Sequence, residues 1–289
     1  MGSHQQPIQQ RHHERSAWWL AQQTQRNRSM LCHVRVLLSV QGGVAILPAK
    51  IIYTNVAIQE GEMQNVEQAR FNMIEQQIRP CEVLEGRILE LLKHVRRELF
   101  VPKDMKGLAF ADLDIPLGYG AYMWQPKLEA RTVQELHLTR TDRVLEVGTG
   151  SGYLTALLTA LAGHVTSVEI VPQLSATARQ NLAATHRDNF TLEIGDASHG
   201  WVNNMKNSYP GTGANYDVIV LTGSTPVLPE EFQNSLKIGG RLFAIVGDAP
   251  VMEAKLITRV APDIYHTVNI METCVAPLQN AQQPKRFVF

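Results

Sequence analysis

The segment V-L-E-V-G-T-G-S-G-Y, Val144 to Tyr153, holds the residues best placed to do chemistry. A hydrophobic run carries an acid, Glu146, and three glycines follow at every second position: Gly148, Gly150 and Gly152. A helix-like stretch, L-T-A-L-L-T-A-L, comes next. The pattern reads as strand, glycine-rich turn and helix. Glycine is needed where a backbone takes positive φ or passes close to a ligand. The helix start beyond the turn offers free N–H groups. A nucleotide-type pocket is the expectation.

The spacing separates two ligands. A dinucleotide fingerprint is G-x-G-x-x-G, with a pyrophosphate at the helix N-terminus. Here the spacing is G-x-G-x-G, and Glu146 precedes it. A carboxylate beside the turn repels a pyrophosphate and suits a cationic ligand. S-adenosylmethionine, with its ammonium and sulfonium and no phosphate, fits this charge. The next strand candidate, His164 to Ile170, carries Glu169, placed to grip a ribose diol. A third, T-L-E-I-G-D-A, leads to Asp196, placed to accept from an adenine amino group. Thr149, Ile170 and Ala197 adjoin these residues in sequence and join the expected donor pocket; Thr222 enters it only through the family resemblance below. An ordinary solvated role for Glu169 or Asp196 is the plain alternative for each acid taken alone.

From about Met63 to the C-terminus the chain resembles the protein-L-isoaspartate O-methyltransferases. The resemblance rests on R-R-E-L-F-V-P (Arg96 to Pro102), D-I-P-L-G-Y-G (Asp114 to Gly120) and Q-P-K-L-E-A-R (Gln125 to Arg131). It continues through the glycine turn, G-D-A-S-H-G-W (Gly195 to Trp201), Tyr216 to Pro226 and L-K-I-G-G-R-L (Leu236 to Leu242). It implies a Rossmann-like, doubly wound class I methyltransferase sheet with S-adenosylmethionine as methyl donor. It also implies an enzyme that methylates the free carboxyl of isoaspartyl residues in damaged proteins or peptides. A carboxylate acceptor is already ionised at neutral pH, so no general base is required.

One departure concerns the acceptor. The family carries a Ser in T-I-S-Q-P beside the transferring methyl group, whereas this chain reads Y-M-W-Q-P. Trp124 stands at the Ser position, while Gln125 and Pro126 match. Tyr122 adds a second aromatic, and these four residues are the candidate acceptor pocket. An indole offers one N–H donor and much bulk. It turns away and leaves the pocket intact, reshapes it for another acceptor, or closes it and leaves a donor-binding protein without turnover. Core packing of both aromatics is the plain alternative. The C-terminal C-V-A-P-L, Cys274 to Leu278, is similar to the family's V-P-L with one extra residue.

Composition narrows the classes further. Lys plus Arg number 27, as do Asp plus Glu, so no global basic field points to nucleic acid. Cys32, Cys81 and Cys274 are far apart and read as free thiols in a reducing compartment. The histidines form no H-E-x-x-H or H-x-x-x-H pattern, so no metal is expected. No apolar run reaches a membrane span, and no leader is evident, so the cytoplasm is the expected location.

The elements that must position these residues begin after Met63. Residues 1–62 sustain no periodicity, and Gly2 to Arg28 is rich in Gln, Arg and His with a Trp18-Trp19 pair. They read as a poorly ordered extension. Glu60-Gly61-Glu62 can be encoded by GAA-GGA-GAA, a purine-rich run like a ribosome-binding site, which makes Met63 a candidate start. The rival reading is a genuine flexible or membrane-touching arm. The methyltransferase domain is expected over 63–289, with a helical layer and acceptor-side loop at 63–135 and the donor-binding sheet at 136–289. Asn65 and Gln68 suit a capping box, with Phe71, Ile74 and Ile78 on one helical face and Pro80 ending it. A second helix is expected to carry Leu84, Ile88, Leu91, Leu92, Val95 and Leu99. Strands are expected at 143–148, 164–169, 190–194, 216–221 and 240–246, with one more from Val268 to Ala276. Asn203 to Asn215 reads as a surface loop.

Overall fold

The structure is a computed structural model and describes residues 39–40, 43–44, 65–201 and 216–284. The chain divides into two compact units, Met1–Met63 and Gln64–Phe289. In the first, β1 (Ser39–Val40) pairs antiparallel with β2 (Gly43–Val44). The Gln-rich segment, the Trp18-Trp19 pair, the start at Met63 and the loop Asn203 to Asn215 lie outside the described residues.

The second unit opens with helix α1 (65–73), which widens into a π turn at Ile74–Ile78 and tightens into a 3-10 turn at Arg79–Cys81. Two expectations are corrected here. Asn65 already lies within the helix, and the Gln68 amide donates to Asn72 Oδ1 at 2.9 Å, so no capping box forms. Phe71 is 54% exposed, and the buried face is Arg70, Met73, Ile74 and Ile78. A buried arginine hid that face from a hydrophobic-pattern reading. Two of its guanidinium nitrogens are paired there with Glu67 and Glu98.

Helix α2 (Gly86–His94) is shorter than the apolar spacing implies. Ile88, Leu89 and Leu92 are buried, but Leu84 is 66% exposed and Leu99 sits in a separate 3-10 turn, Arg97–Leu99. A tight hairpin of β3 (Ile115–Gly118) and β4 (Ala121–Met123) follows. Its two turn residues, Tyr119 and Gly120, both take positive φ, as a type I′ turn requires. Helix α3 (Pro126–Glu135) then starts on a proline, whose missing N–H costs nothing at a first helical position.

The expected sheet is present. Strands β5 (Arg143–Val147), β6 (His164–Glu169), β7 (Phe190–Ile194), β8 (Tyr216–Thr225) and β9 (Leu236–Asp248) pair in parallel in the order β9-β8-β5-β6-β7. Helices α4 (Tyr153–Leu161), α5 (Pro172–Ala183) and α6 (Glu230–Asn234) connect or flank them. Helix α4 is buried on nearly every face, which explains its near-continuous run of apolar residues and threonines. This is a doubly wound, Rossmann-like sheet. One edge is extended antiparallel by β10 (Val251–Ala261) and β11 (Ile264–Thr273). The last strand was expected later, at Val268 to Ala276. The residues beyond Thr273 instead cross the C-terminal end of β8, where Leu278 N–H donates to Ser224 O at 2.9 Å.

Candidate functional site

One cavity opens at the C-terminal ends of β5, β6, β7 and β8, where ligands bind in such sheets. It encloses about 980 Å³, its open mouth included. The sheet side is the glycine turn. Gly148 takes φ +97°, and a Cβ there would stand 2.2 Å from Thr222 Oγ1. The Thr222 hydroxyl is held at 2.8 Å from both Val147 O and Gly148 O. Thr222 reaches this position through a bulge. Between Val220 and Ser224, β8 runs two residues longer than its partner stretch of β9, Phe243 to Ile245. Thr149, Gly150, Ile170, Ala197 and Thr222 line the cavity with Gly148. Gly152 does not. It precedes α4 at φ +83°, and a Cβ there would meet Ala178 and Leu182 of α5 at 3.2 Å, so it serves helix packing.

The three acids have different fates. Glu169 lines the cavity and accepts Gly150 N–H at 2.8 Å and Val171 N–H at 3.0 Å. Its carboxylate therefore shapes the turn as well as facing the space. Asp196 also lines the cavity. Partial burial works to raise its pKa, but hydrogen bonds from Ser198 and Asn280 prevail and hold it below the usual range. Glu146 does not line the cavity. It is fully buried beneath the turn and accepts from the Thr155 hydroxyl. Burial, opposed by hydrogen bonds from Ser167 and Thr155 and reinforced by nearby Glu169, pushes its carboxyl up to about 7. The expectation that Glu146 faces a cationic ligand is thus corrected. Strand β5 is buried on both sides of the sheet, so its alternation gives no outward face, and the cavity meets Val147 instead.

The opposite wall comes from the β3–β4 hairpin and the C-terminal segment. Tyr122, 49% exposed, stands at this wall, and Trp124, 5% exposed, both lines the cavity and packs in the core that holds Met123, Leu128 and Tyr153. The indole therefore neither leaves the site nor fills it. Gln125 and Pro126 do not line the cavity. Gln125 caps α3 and donates its N–H to Asp114 Oδ1 at 3.1 Å, and Pro126 is the first residue of that helix.

Sequence reasoning missed two carboxyls, and it reached one strap only through the C-V-A-P-L match, Cys274 to Leu278. Asp114 and Glu129 both line this end. Burial raises the Asp114 pKa despite the Gln125 N–H, and burial pushes Glu129 up to about 8 against the pull of Arg97. The signal for Glu129 was its place three residues after Pro126, in the first turn of a helix that a proline can open. The strap is Ala276 to Gln279. Gln279 donates to Tyr119 O at 3.1 Å, and Asn280 to Asp196 Oδ2 at 2.8 Å, so the strap joins the hairpin to the acid after β7.

Known proteins are similar to this chain in sequence and in fold. A protein-L-isoaspartate O-methyltransferase of Methanoculleus marisnigri is 37% identical over 210 residues, spanning 72% of this chain and 90% of its own. One from Rhodopseudomonas palustris is 35% identical and covers 72% of this chain and 82% of its own. A Plasmodium falciparum structure described as a protein-L-isoaspartate O-methyltransferase, in complex with S-adenosyl-L-homocysteine, superposes with a TM-score of 0.59. At 18% identity, over 73% of this chain and 97% of that one, it is a likeness of fold. The family model for Protein-L-isoaspartate(D-aspartate) O-methyltransferase (PCMT) matches residues 68–283. With that match laid over the cavity, the glycine turn and the hairpin wall, this chain belongs to the protein-L-isoaspartate O-methyltransferase family.

Proposed function

We propose that this chain is an S-adenosylmethionine-dependent methyltransferase that esterifies the free carboxyl of isoaspartyl residues in proteins or peptides. The observation that carries the reading is the two-ended cavity. At one end the backbone of Gly148 to Gly150 lies bare beside two carboxylates, Glu169 and Asp196. At the other, Tyr122 and Trp124 form an aromatic wall.

The residues at the first end fit the donor. Among the described residues no Lys or Arg lines this end, and acids so placed suit a positively charged ligand. The missing Cβ at Gly148 makes room for the Thr222 hydroxyl, which braces the turn from Val147 O and Gly148 O. Glu169, fixed at β6's end by two backbone N–H groups, is placed for a ribose diol, and Asp196 for an adenine amino group. When bound, the donor supplies an electrophilic methyl carbon on a sulfonium.

The chain's own work is alignment and exclusion of water. The hairpin wall and the Ala276 to Gln279 strap enclose the acceptor end. Holding a nucleophile and methyl carbon in line supplies much of such a barrier reduction. No proton transfer is needed for a carboxylate acceptor, which agrees with a wall of apolar and aromatic groups. A different acceptor in the same cavity is the second reading, favoured by Trp124 and by the two carboxyls, Asp114 and Glu129, at this end. The proposed setting is the cytoplasm, with proteins or peptides rather than nucleic acid or membrane as partners. Among the described residues no helix is long and apolar enough to cross a membrane.

The test is release of S-adenosylhomocysteine from S-adenosylmethionine with an isoaspartyl peptide. The aspartyl peptide of the same sequence is the control. Release with the isoaspartyl peptide alone supports the reading. Donor binding without release from either peptide moves the assignment to another acceptor.

A further inference from the structure

Arg97 is buried, does not line the cavity, and uses all three of its guanidinium nitrogens. Nε donates to Ala109 O at 2.8 Å, and Nη2 to Trp124 O at 2.6 Å. Nη1 is paired with Glu129. The guanidinium also lies 5.0 Å from the centre of the Tyr153 ring. These four partners come from different parts of the site. Ala109 precedes the hairpin, Trp124 ends it, Glu129 belongs to α3, and Tyr153 opens α4 directly after the glycine turn. A planar guanidinium fixes direction as well as distance, which an ammonium does not.

We infer that Arg97 is a positioning residue for methyl transfer, setting the Trp124 wall at a fixed distance from the glycine turn. Arg97 touches neither reactant, and this assignment rests on the methyltransferase reading above. It acts through the Trp124 main chain on one side and the Tyr153 ring on the other. A wall held by packing alone could drift by an ångström, and a misplacement of that size costs on the order of a hundredfold in such reactions.

A second arginine offers a matched control. Arg241, partly exposed, makes a related fork with two of its nitrogens at the other end of α3. It donates to Leu136 O, His137 O and Asp142 Oδ2, and it lies outside the cavity lining. Arg97→Lys and Arg241→Lys thus each keep a charge and lose a fork, one beside the site and one remote from it.

The experiment measures turnover on the isoaspartyl peptide at saturating donor, donor affinity, and the 15N–1H indole resonance of Trp124, assigned with Trp124→Phe. Arg97→Lys is expected to lower kcat about tenfold or more, leave the donor Kd within about twofold, and move the Trp124 resonance. Arg241→Lys is expected to lower thermal stability alone. Equal loss of turnover in both variants, or an unmoved Trp124 resonance in Arg97→Lys, overturns the assignment. Should Arg97→Lys not fold, Glu129→Gln loosens the same guanidinium while leaving it in place. The Trp124 resonance must then move and kcat must fall, or the assignment fails. If the parent protein shows no turnover on the peptide, the functional reading falls, and the resonance decides the positioning role by itself.

Discussion

Gly148 and Thr222 stand so close that a methyl group on Gly148 would lie 2.2 Å from Thr222 Oγ1. The hydroxyl cannot retreat without giving up its hydrogen bond, shared between Val147 O and Gly148 O. Gly148→Ala adds both this collision and a side chain at φ +97°. The expected outcome is loss of donor binding by at least tenfold, measured by isothermal titration with S-adenosylhomocysteine. Thr222→Val removes this single shared hydrogen bond while keeping the shape, at about 1 kcal/mol. Its donor affinity is expected to fall less than that of Gly148→Ala.

Trp124 is a core residue that also faces the acceptor end, so its substitutions separate packing from chemistry. Trp124→Ser empties a buried volume and is expected to cost about 3–5 kcal/mol. For a domain of this size that is a fall of roughly 10 °C in Tm. Trp124→Phe keeps an apolar wall and the main-chain bond to Arg97, and should retain turnover within about threefold of the parent, because the wall excludes water and donates nothing essential. A large gain of isoaspartyl activity in Trp124→Ser, assayed below its own Tm, would show instead that the indole blocks this acceptor.

The glycine-turn half of the cavity was legible because its signals are local. The five parallel strands are short apolar runs, and Gly148 and Gly150 fall where the backbone must bend and stay bare. Glu169 and Asp196 follow from their places at strand ends. Glu146 was not legible in the same way. In a strand buried on both faces, one residue decides whether an acid meets the ligand or the core, and here Val147 meets the cavity. The hairpin half of the cavity depends on contacts between distant segments. Arg97 meets Trp124 across 27 residues, and Gln279 meets Tyr119 across 160. Neither pairing leaves a periodic trace. Strand β10 was missed for a similar reason. Its pairing with β11 shifts register at Ala254/Lys255, which breaks the alternation a strand reading needs.

Glu169 carries a prediction about the turn itself. Its two carboxylate oxygens accept from Gly150 and Val171. Glu169→Gln offers only one acceptor oxygen and points an N–H₂ group at a backbone N–H. Hydrogen bonds to charged groups are worth about 1.5–3 kcal/mol. The expected result is a donor affinity lowered ~10- to 100-fold. Asp196→Asn retains one acceptor oxygen for the Ser198 N–H and gives up only the exposed bond from Asn280, so it is expected to weaken donor binding by less. A ranking with Asp196→Asn as the more damaging change would move the main donor contact to the Asp196 end.

Glu146 makes stability depend on pH with a definite sign. Its carboxyl is raised to about 7 in the folded protein, chiefly by burial, from an ordinary value of 4.5. A group with a raised folded pKa favours the fold below its unfolded pKa and loses that contribution as pH rises through the folded value. The window is therefore about pH 4.5 to 7. The shift corresponds to a loss on the order of 3 kcal/mol between the two ends. Glu146→Gln keeps a carbonyl for the Thr155 hydroxyl and removes the ionisation. It is expected to match the parent in urea-unfolding stability near pH 5 and to exceed it at pH 8. A parent-to-variant difference that is constant from pH 5 to 8 would mean that the Glu146 carboxyl ionises with little cost, and that its burial beneath the glycine turn is relieved by solvent.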